Sequence, residues 1–163
     1  MSSFPRRKIA RFALAMLPVL VAAGSAKSDE GARAAITRQL QSYQNALNAS
    51  DVDAVMKLYA DDAVFMPQHS LPAVGRVAVE RAYEQVFGAI KLDIRFEIDE
   101  IRALSADWAY ARTRSKGTVK ILANGAAPSS EANQELFLLH REKDGAWRFA
   151  RYIFSTTNAA PQQ

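Results

Sequence analysis

Apolar and polar positions along this chain follow two periods in turn. Over residues 30–48, Ala35, Ile36, Leu40, Tyr43, Ala46 and Leu47 recur at helical spacing, which predicts a first helix with Tyr43 on or beside its apolar stripe. Ser50 with Asp53 three residues on has the pattern of a capping box, so a second helix is predicted from Asp51 or Val52 to about Ala60. Asp61 and Asp62 break that period and read as the end of the helix. Residues 63–66 are too short and too apolar for exposed coil and read as a buried strand closed by Pro67. Gln68, His69, Ser70 and Pro72 then form a polar loop, and Gly75 and Arg76 open a third helix carried by Val77, Val79, Tyr83, Val86 and Phe87 and stopped at Gly88.

From residue 92 the pattern changes to alternation, since Leu92, Ile94, Phe96 and Ile98 interleave with Asp93, Arg95, Glu97 and Asp99. The alternation slips at Glu100 and Ile101, the mark of a bulge that bends a sheet. A turn at 105–107 leads into a strand over 108–122, where Ala109, Ala111, Thr113 and Ser115 share the core face and Trp108, Tyr110, Arg112 and Arg114 the outer one. A loop over 124–130, a strand over 134–142, a tight turn at Lys143, Asp144 and Gly145, and a last strand over 147–156 complete the pattern. Helices first and an antiparallel meander afterwards predict an α+β fold, with three helices laid across one face of a bent sheet. A bent sheet closed by helices makes a cone with a pocket at its open end, near the loop that carries His69.

The first 26 residues stand apart. A basic head (Arg6, Arg7, Lys8, Arg11), an apolar run over 12–23 interrupted by Pro18, and small residues around Ala23 and Ala26 read as a secretory signal peptide, with a retained N-terminal anchor as the alternative. Arg6 and Arg7 match a twin-arginine signal only in part. The leader carries four basic residues and no acid, so removing it takes the formal net charge of +4 to zero, and the folded part offers no basic balance for nucleic acid. The chain has no cysteine, which excludes disulfides and lipoprotein attachment. Residues 27–157 are then one domain in the periplasm or outside the cell, 158–163 are a frayed tail, and no membrane partner is expected once the signal is removed.

The segments over 43–67, Gly75–Arg76 and the ending Asp144, Gly145, Ala146 and Trp147 together resemble ketosteroid isomerase and its SnoaL-like relatives in the nuclear transport factor 2 (NTF2-like) superfamily, and most of all its SgcJ/EcaC branch. The likeness covers about residues 33–157. It implies the same cone-shaped fold, no cofactor, and either acid/base chemistry or a non-catalytic association role. The isomerase's oxyanion-hole tyrosine falls on Tyr43. Its catalytic aspartate falls at Met66 or Pro67, neither of which can accept a proton, and its second acid falls in the strand that begins at Gln134, on Gln134, Glu135 or an apolar neighbour.

His69 is therefore the candidate base, as the one side chain of the mouth loop that titrates near neutrality, against the plain reading of a solvated loop histidine. Tyr43 is either an oxyanion donor or a core tyrosine with its hydroxyl at water. Strand parity turns Arg151 inward with Trp147, Phe149 and Ile153, where it either pairs with Glu100 or meets an anionic ligand. The same parity places His140 in the core with Leu136 and Leu138. The predicted pocket is lined by Tyr43, Tyr59, Phe65, Met66, Phe96, Glu100, Gln134, Phe149 and Arg151. No metal site is expected, because no ligand cluster has the spacing. The functional expectation is isomerase, cyclase or dehydratase chemistry on a small apolar carbonyl compound, the alternative being a non-catalytic small-ligand-binding or association module. Trp108 and Tyr110, joined by Tyr152 and Phe154 of outward parity, predict a homodimer with sheets face to face and a rim of Arg112 and Arg114, the alternative being a monomer whose aromatics pack under the loop over 124–130.

Overall fold

The computed structural model describes residues 22–123 and 125–159. Three helices and six strands follow in the order α1 (Ala22–Ala49), α2 (Val52–Met56), β1 (Tyr59–Met66), β2 (Ala73–Val74), α3 (Arg76–Ala89), β3 (Ile90–Ala103), β4 (Trp108–Ile121), β5 (Ser129–Arg141) and β6 (Trp147–Thr156). All six strands form one sheet in the spatial order β2-β1-β6-β5-β4-β3, antiparallel except that β1 runs parallel to β6. The sheet curls around the helices into the α+β cone that the pattern predicted. Residues 1–21, which hold the head and most of the apolar run of the predicted leader, and residues 160–163 of the predicted tail lie outside the described residues. Asn158 of that tail is tied back to β5 through a bond from its Nδ2 to Ser130 O. Among the described residues no helix is long and apolar enough to cross a membrane.

Ile36, Leu40, Tyr43 and Leu47 of α1 are buried, a single stripe at helical spacing. The helix stops where Ser50 enters the left-handed region at φ 55°, and the amides of Ser50 and Asp51 close the last turn on Leu47 O and Ala46 O. Ser50 thus ends one helix and does not cap the next. That role falls to Asp51, whose carboxylate accepts from Ala54 N at 2.9 Å. α2 is correspondingly short and β1 begins at Tyr59, so Asp61 and Asp62 lie in a strand and not at a helix end. They are two consecutive exposed positions where the register between β1 and β6 shifts. α3 continues through Gly88 and passes directly into β3, and β5 starts at Ser129, shortening the loop predicted before it.

As an edge strand, β3 leaves backbone groups that a neighbouring strand would bond, and α1 supplies the partners from side chains. Asn48 bonds both the N–H and the C=O of Ile94, Gln44 Oε1 accepts from Phe96 N, and Arg33 reaches Ile101 O. Opposite Ile94, Gly117 allows a close approach of the two strands, because a Cβ there would lie 2.0 Å from Asp93 O.

Two bulges decide which side chains enter the cone. In β3 the register shifts between Ile98 and Glu100, so Asp99 is the extra residue, one position before the predicted slip. Ile94 and Phe96 face inward before it and Ile101 after it, while Glu100 pairs with Arg112 on the outer face. Ile98, on the inner face at the rim, is 36% exposed. In β6 the extra residue is Ala150, since Phe149 pairs with Leu139 but Arg151 with Leu138. The parity read from the sequence therefore inverts past Ala150: Tyr152 and Phe154 point inward, Arg151 and Ile153 outward. β5 likewise turns Asn133, Glu135, Phe137 and Leu139 inward, and Gln134, Leu136, Leu138 and His140 outward. His140 is no core histidine, since it packs beside Trp108 with its Nδ1 3.2 Å from Glu142 Oε1.

Candidate functional site

The inner face presents ladders of facing residues running from β3 through β4 and β5 to β6. Phe96, Ser115, Asn133 and Thr156 form one row, Ile98, Thr113, Glu135 and Phe154 the next, and Ile101, Ala111, Phe137 and Tyr152 a third. Small side chains on β4 leave room over these rows, and a cavity of about 270 Å³ opens there. Tyr43 and Leu47 of α1, Tyr83 and Val86 of α3, Phe65, Pro67 and Gln68 at the end of β1, and Phe96, Ser115, Glu135 and Tyr152 of the sheet are among its walls. That volume is below the ~300 Å³ at which drug-sized sites begin, and above the ~150 Å³ that holds one benzene ring, so it suits a ligand of one or two rings.

Buried tyrosines from four elements converge beneath this cavity. Tyr83 Oη lies 2.8 Å from Tyr59 Oη and 2.5 Å from Tyr43 Oη, and the ring of Tyr152 packs edge-on against that of Tyr43 at 5.7 Å. Burial pushes all four hydroxyls well above the ordinary phenol range, so they stay neutral donors across the physiological range. In a chain of hydroxyls each link consumes one proton. An open chain of this kind has one O–H more than it has links, and two of its members, Tyr43 and Tyr83, line the cavity where a ligand oxygen would accept it. Phe149 is the floor under the chain, edge-on to Tyr43 at 5.2 Å and to Tyr59 at 5.4 Å.

Glu135 is the acid of the site. It is only 4% exposed, and its two carboxyl oxygens accept from Thr113 Oγ1 and Ser115 Oγ, each at 2.5 Å. Burial raises its proton affinity above the ordinary carboxylate range, the two hydroxyls pull it back in part, and the charges of Asp99 and Glu131 push it up further. A carboxylate of raised pKa beside neutral hydroxyl donors is an arrangement that can move a proton to and from carbon.

Of the residues predicted from sequence, the structure brings Tyr43, Phe65 and Phe96 to the cavity, with Tyr59 and Phe149 just beneath it. The others lie elsewhere. His69 sits at φ 59° on the exposed loop between β1 and β2, next to Gln68 but not itself among the walls of the cavity. Arg151, turned outward by the Ala150 bulge, bonds Asp62 O at 3.1 Å and Ala150 O at 2.6 Å and does not meet Glu100. Glu100 accepts from Arg102 Nε at 3.0 Å on the outer face, with Arg112 Nε at 3.8 Å. Gln134 bonds Ser155 there, and Met66 lies alongside Ile153. Tyr83, Tyr152 and Asn133 were missed, and of the positions left open for the second acid it is Glu135, not Gln134, that faces inward. One signal was present: Thr113 and Ser115 are hydroxyl residues on a core face, and buried hydroxyls call for a polar partner on the neighbouring strand. A second, larger groove of about 690 Å³ runs past Asp61, Asp62, Glu142 and Asp144 at another surface. Four of its charges are paired with one another, Arg148 with Asp144 at 2.6 Å and Arg76 with Asp61 at 3.6 Å.

Residues 40–152, which hold every described wall residue of this cavity except Phe154, match the family model of the SnoaL-like domain. The chain belongs to the SnoaL-like family. This SnoaL-like protein is similar to a ketosteroid isomerase-like protein from Erwinia carotovora atroseptica SCRI1043, with 36% identity over 77% of this chain and 96% of that one and a TM-score of 0.74. A candidate scytalone dehydratase from Novosphingobium aromaticivorans DSM 12444 is 18% identical over 85% of this chain and 92% of its own, at a TM-score of 0.72. A candidate calcium/calmodulin-dependent protein kinase type II association domain from Thiobacillus denitrificans ATCC 25259 is 19% identical over 74% and 93%, at 0.60. The last two likenesses concern the fold alone.

Proposed function

We propose that this SnoaL-like protein performs cofactor-free acid/base chemistry, of isomerase, cyclase or dehydratase type, on a small and mostly apolar carbonyl compound. The observation that supports this is a single one: Glu135 and the hydroxyl chain through Tyr43 and Tyr83 border the same small cavity. Glu135 takes a proton from the carbon beside the carbonyl, the spare tyrosine O–H donates to the oxygen on which charge develops, and Glu135 returns the proton. The base is thus moved from His69 to Glu135. Likeness to the ketosteroid isomerase-like protein agrees with that chemistry. The volume argues for substrates smaller than a steroid.

Deuterium uptake beside the carbonyl of 2-cyclohexenone and 1-indanone, followed by NMR in heavy water, tests the proposal. Glu135→Gln is expected to slow exchange by about a hundredfold or more, Tyr43→Phe to slow it too, and His69→Ala to leave it unchanged.

A second reading, a non-catalytic ligand-binding or association module, is favoured by Met66 and Pro67 standing where the isomerase resemblance puts its aspartate, and by the likeness to the association domain. Binding of both ketones with no exchange above background selects it. We further propose export to the periplasm or beyond, supported by the basic head and apolar run of the leader, and a place in the SgcJ/EcaC branch, supported by the residues quoted above. A homodimer through the outer face of the sheet is proposed as well, with Leu136 and Ile153 in place of the aromatics of β6.

A further inference from the structure

We infer that the ligand carries a hydroxyl or amino group which donates a hydrogen bond to Asn133, and that the cavity selects against anionic ligands. This rests on the reading of the cavity as the ligand site but not on catalysis. Asn133 is 7% exposed, lines the cavity and lies two residues before Glu135 on the same face of β5. Its Nδ2 donates to Glu131 Oε1 at 2.8 Å, and because a carboxylate only accepts, that bond fixes which end of the amide is which. Among the described residues Oδ1 then has no partner, a buried acceptor left open. The donors around it are committed: the hydroxyl of Ser115, facing it on β4, bonds Glu135, and the hydroxyl of Thr156, facing it on β6, bonds Ala132 O. An acceptor left open on the wall of a small cavity is costly unless something in the cavity donates to it.

Charge points the same way. Glu131 and Glu135 line the cavity, and among the described residues none of its walls is lysine or arginine. A carboxylate ligand would meet two acids, an acceptor amide and no cation, whereas a hydroxyl or amine finds an open acceptor. The geometry therefore describes a one- or two-ring carbonyl compound with a hydrogen-bond donor at the end away from the tyrosine chain.

Calorimetric titration with 1-indanone and its 5-hydroxy, 5-amino, 5-methoxy and 5-carboxy derivatives tests this. For the wild type, the hydroxy or the amino compound is expected to bind about tenfold tighter than the parent, the methoxy compound no tighter, and the carboxylate not measurably. The two donor compounds tell a hydroxyl ligand from an amine. In Asn133→Leu, with folding checked by its melting curve, the donor advantage is expected to vanish while the parent ketone still binds; Asn133→Asp, which keeps an acceptor, is expected to retain it. Equal affinity of the wild type for parent, hydroxy and amino compounds would overturn the inference, as would tight binding of the carboxylate. Because the readout is binding, loss of exchange activity with the donor preference intact would remove the enzymatic reading and leave this inference standing.

Discussion

Asn48 treats Ile94 as an adjacent strand would: its Nδ2 donates to Ile94 O and its Oδ1 accepts from Ile94 N, both at 2.9 Å. One side chain therefore satisfies both backbone groups at the open edge of β3, next to the Gly117 approach and beside the cavity wall. Asn48→Ala leaves both groups half-buried and unpaired, so it is expected to cost about 1–3 kcal/mol in urea unfolding. Asn48→Asp, which keeps the acceptor and loses the donor, should fall between. Equal stability of all three proteins would show that water replaces the amide without loss.

Within the tyrosine chain, position decides cost. Tyr83 is the middle link, bonded to Tyr43 and to Tyr59, whereas Tyr59 makes its one measured bond to Tyr83. Tyr83→Phe strands two buried hydroxyls and is expected to destabilise the fold by about 1–3 kcal/mol, more than Tyr59→Phe, which strands one. Denaturation of both variants under one set of conditions checks the order. The reverse order would mean that the hydroxyls are not linked through Tyr83.

Glu135 gives the fold a pH dependence of known sign. Its pKa is higher folded than unfolded, so the native state binds the proton more tightly. Stability from this group is greatest below the unfolded carboxylate range and is lost as pH rises toward the folded value, above which the penalty is constant. Glu135→Gln removes the ionisation and keeps the shape, so the variant is expected to match the wild type in acid and to exceed it near neutrality. Melting curves from pH 4 to pH 8 measure the difference, and a gap that does not change with pH would contradict the assignment.

What the sequence showed and what it hid follow from the same cause. Ala109, Ala111, Thr113 and Ser115 could be assigned to the core face because β4 alternates without interruption, and the bounds of β6 were legible from Trp147 to Thr156. Parity was misread wherever a single residue was added. Ala150 inserts between two core aromatics, and its one trace in the sequence is an apolar pair, Phe149 and Ala150, inside an alternating strand. That one residue exchanged the faces of Arg151 and Tyr152, and with them a candidate catalytic residue and a candidate dimer contact. Glu135 was hidden for a related reason: the strand was started at Gln134, five residues late, which left its register open. The tyrosine chain is a tertiary feature, assembled from α1, α3 and β1, and no local pattern encodes it.

The outer face of the sheet carries the last prediction. Leu136 and Ile153 face each other across β5 and β6, each 45% exposed, with Met66 beside Ile153 on β1 and Arg112 beside Leu136 on β4. An apolar centre bounded by Arg112 and Arg114, themselves held by Asp99, has the make-up of an interface with a polar rim. A second copy presents the same patch about a two-fold axis, and because the flanking arginines are already paired, the two rims need not repel. The protein is therefore expected to sediment as a dimer at micromolar concentration. Leu136→Lys with Ile153→Lys places two cations beside two arginines and their symmetry mates, and is expected to give a monomer with the secondary structure unchanged. Tyr152→Phe, inside the cone, should leave the dimer intact. A wild type that sediments as a monomer at high micromolar concentration, or a dimer indifferent to both lysines, rules this face out as the interface.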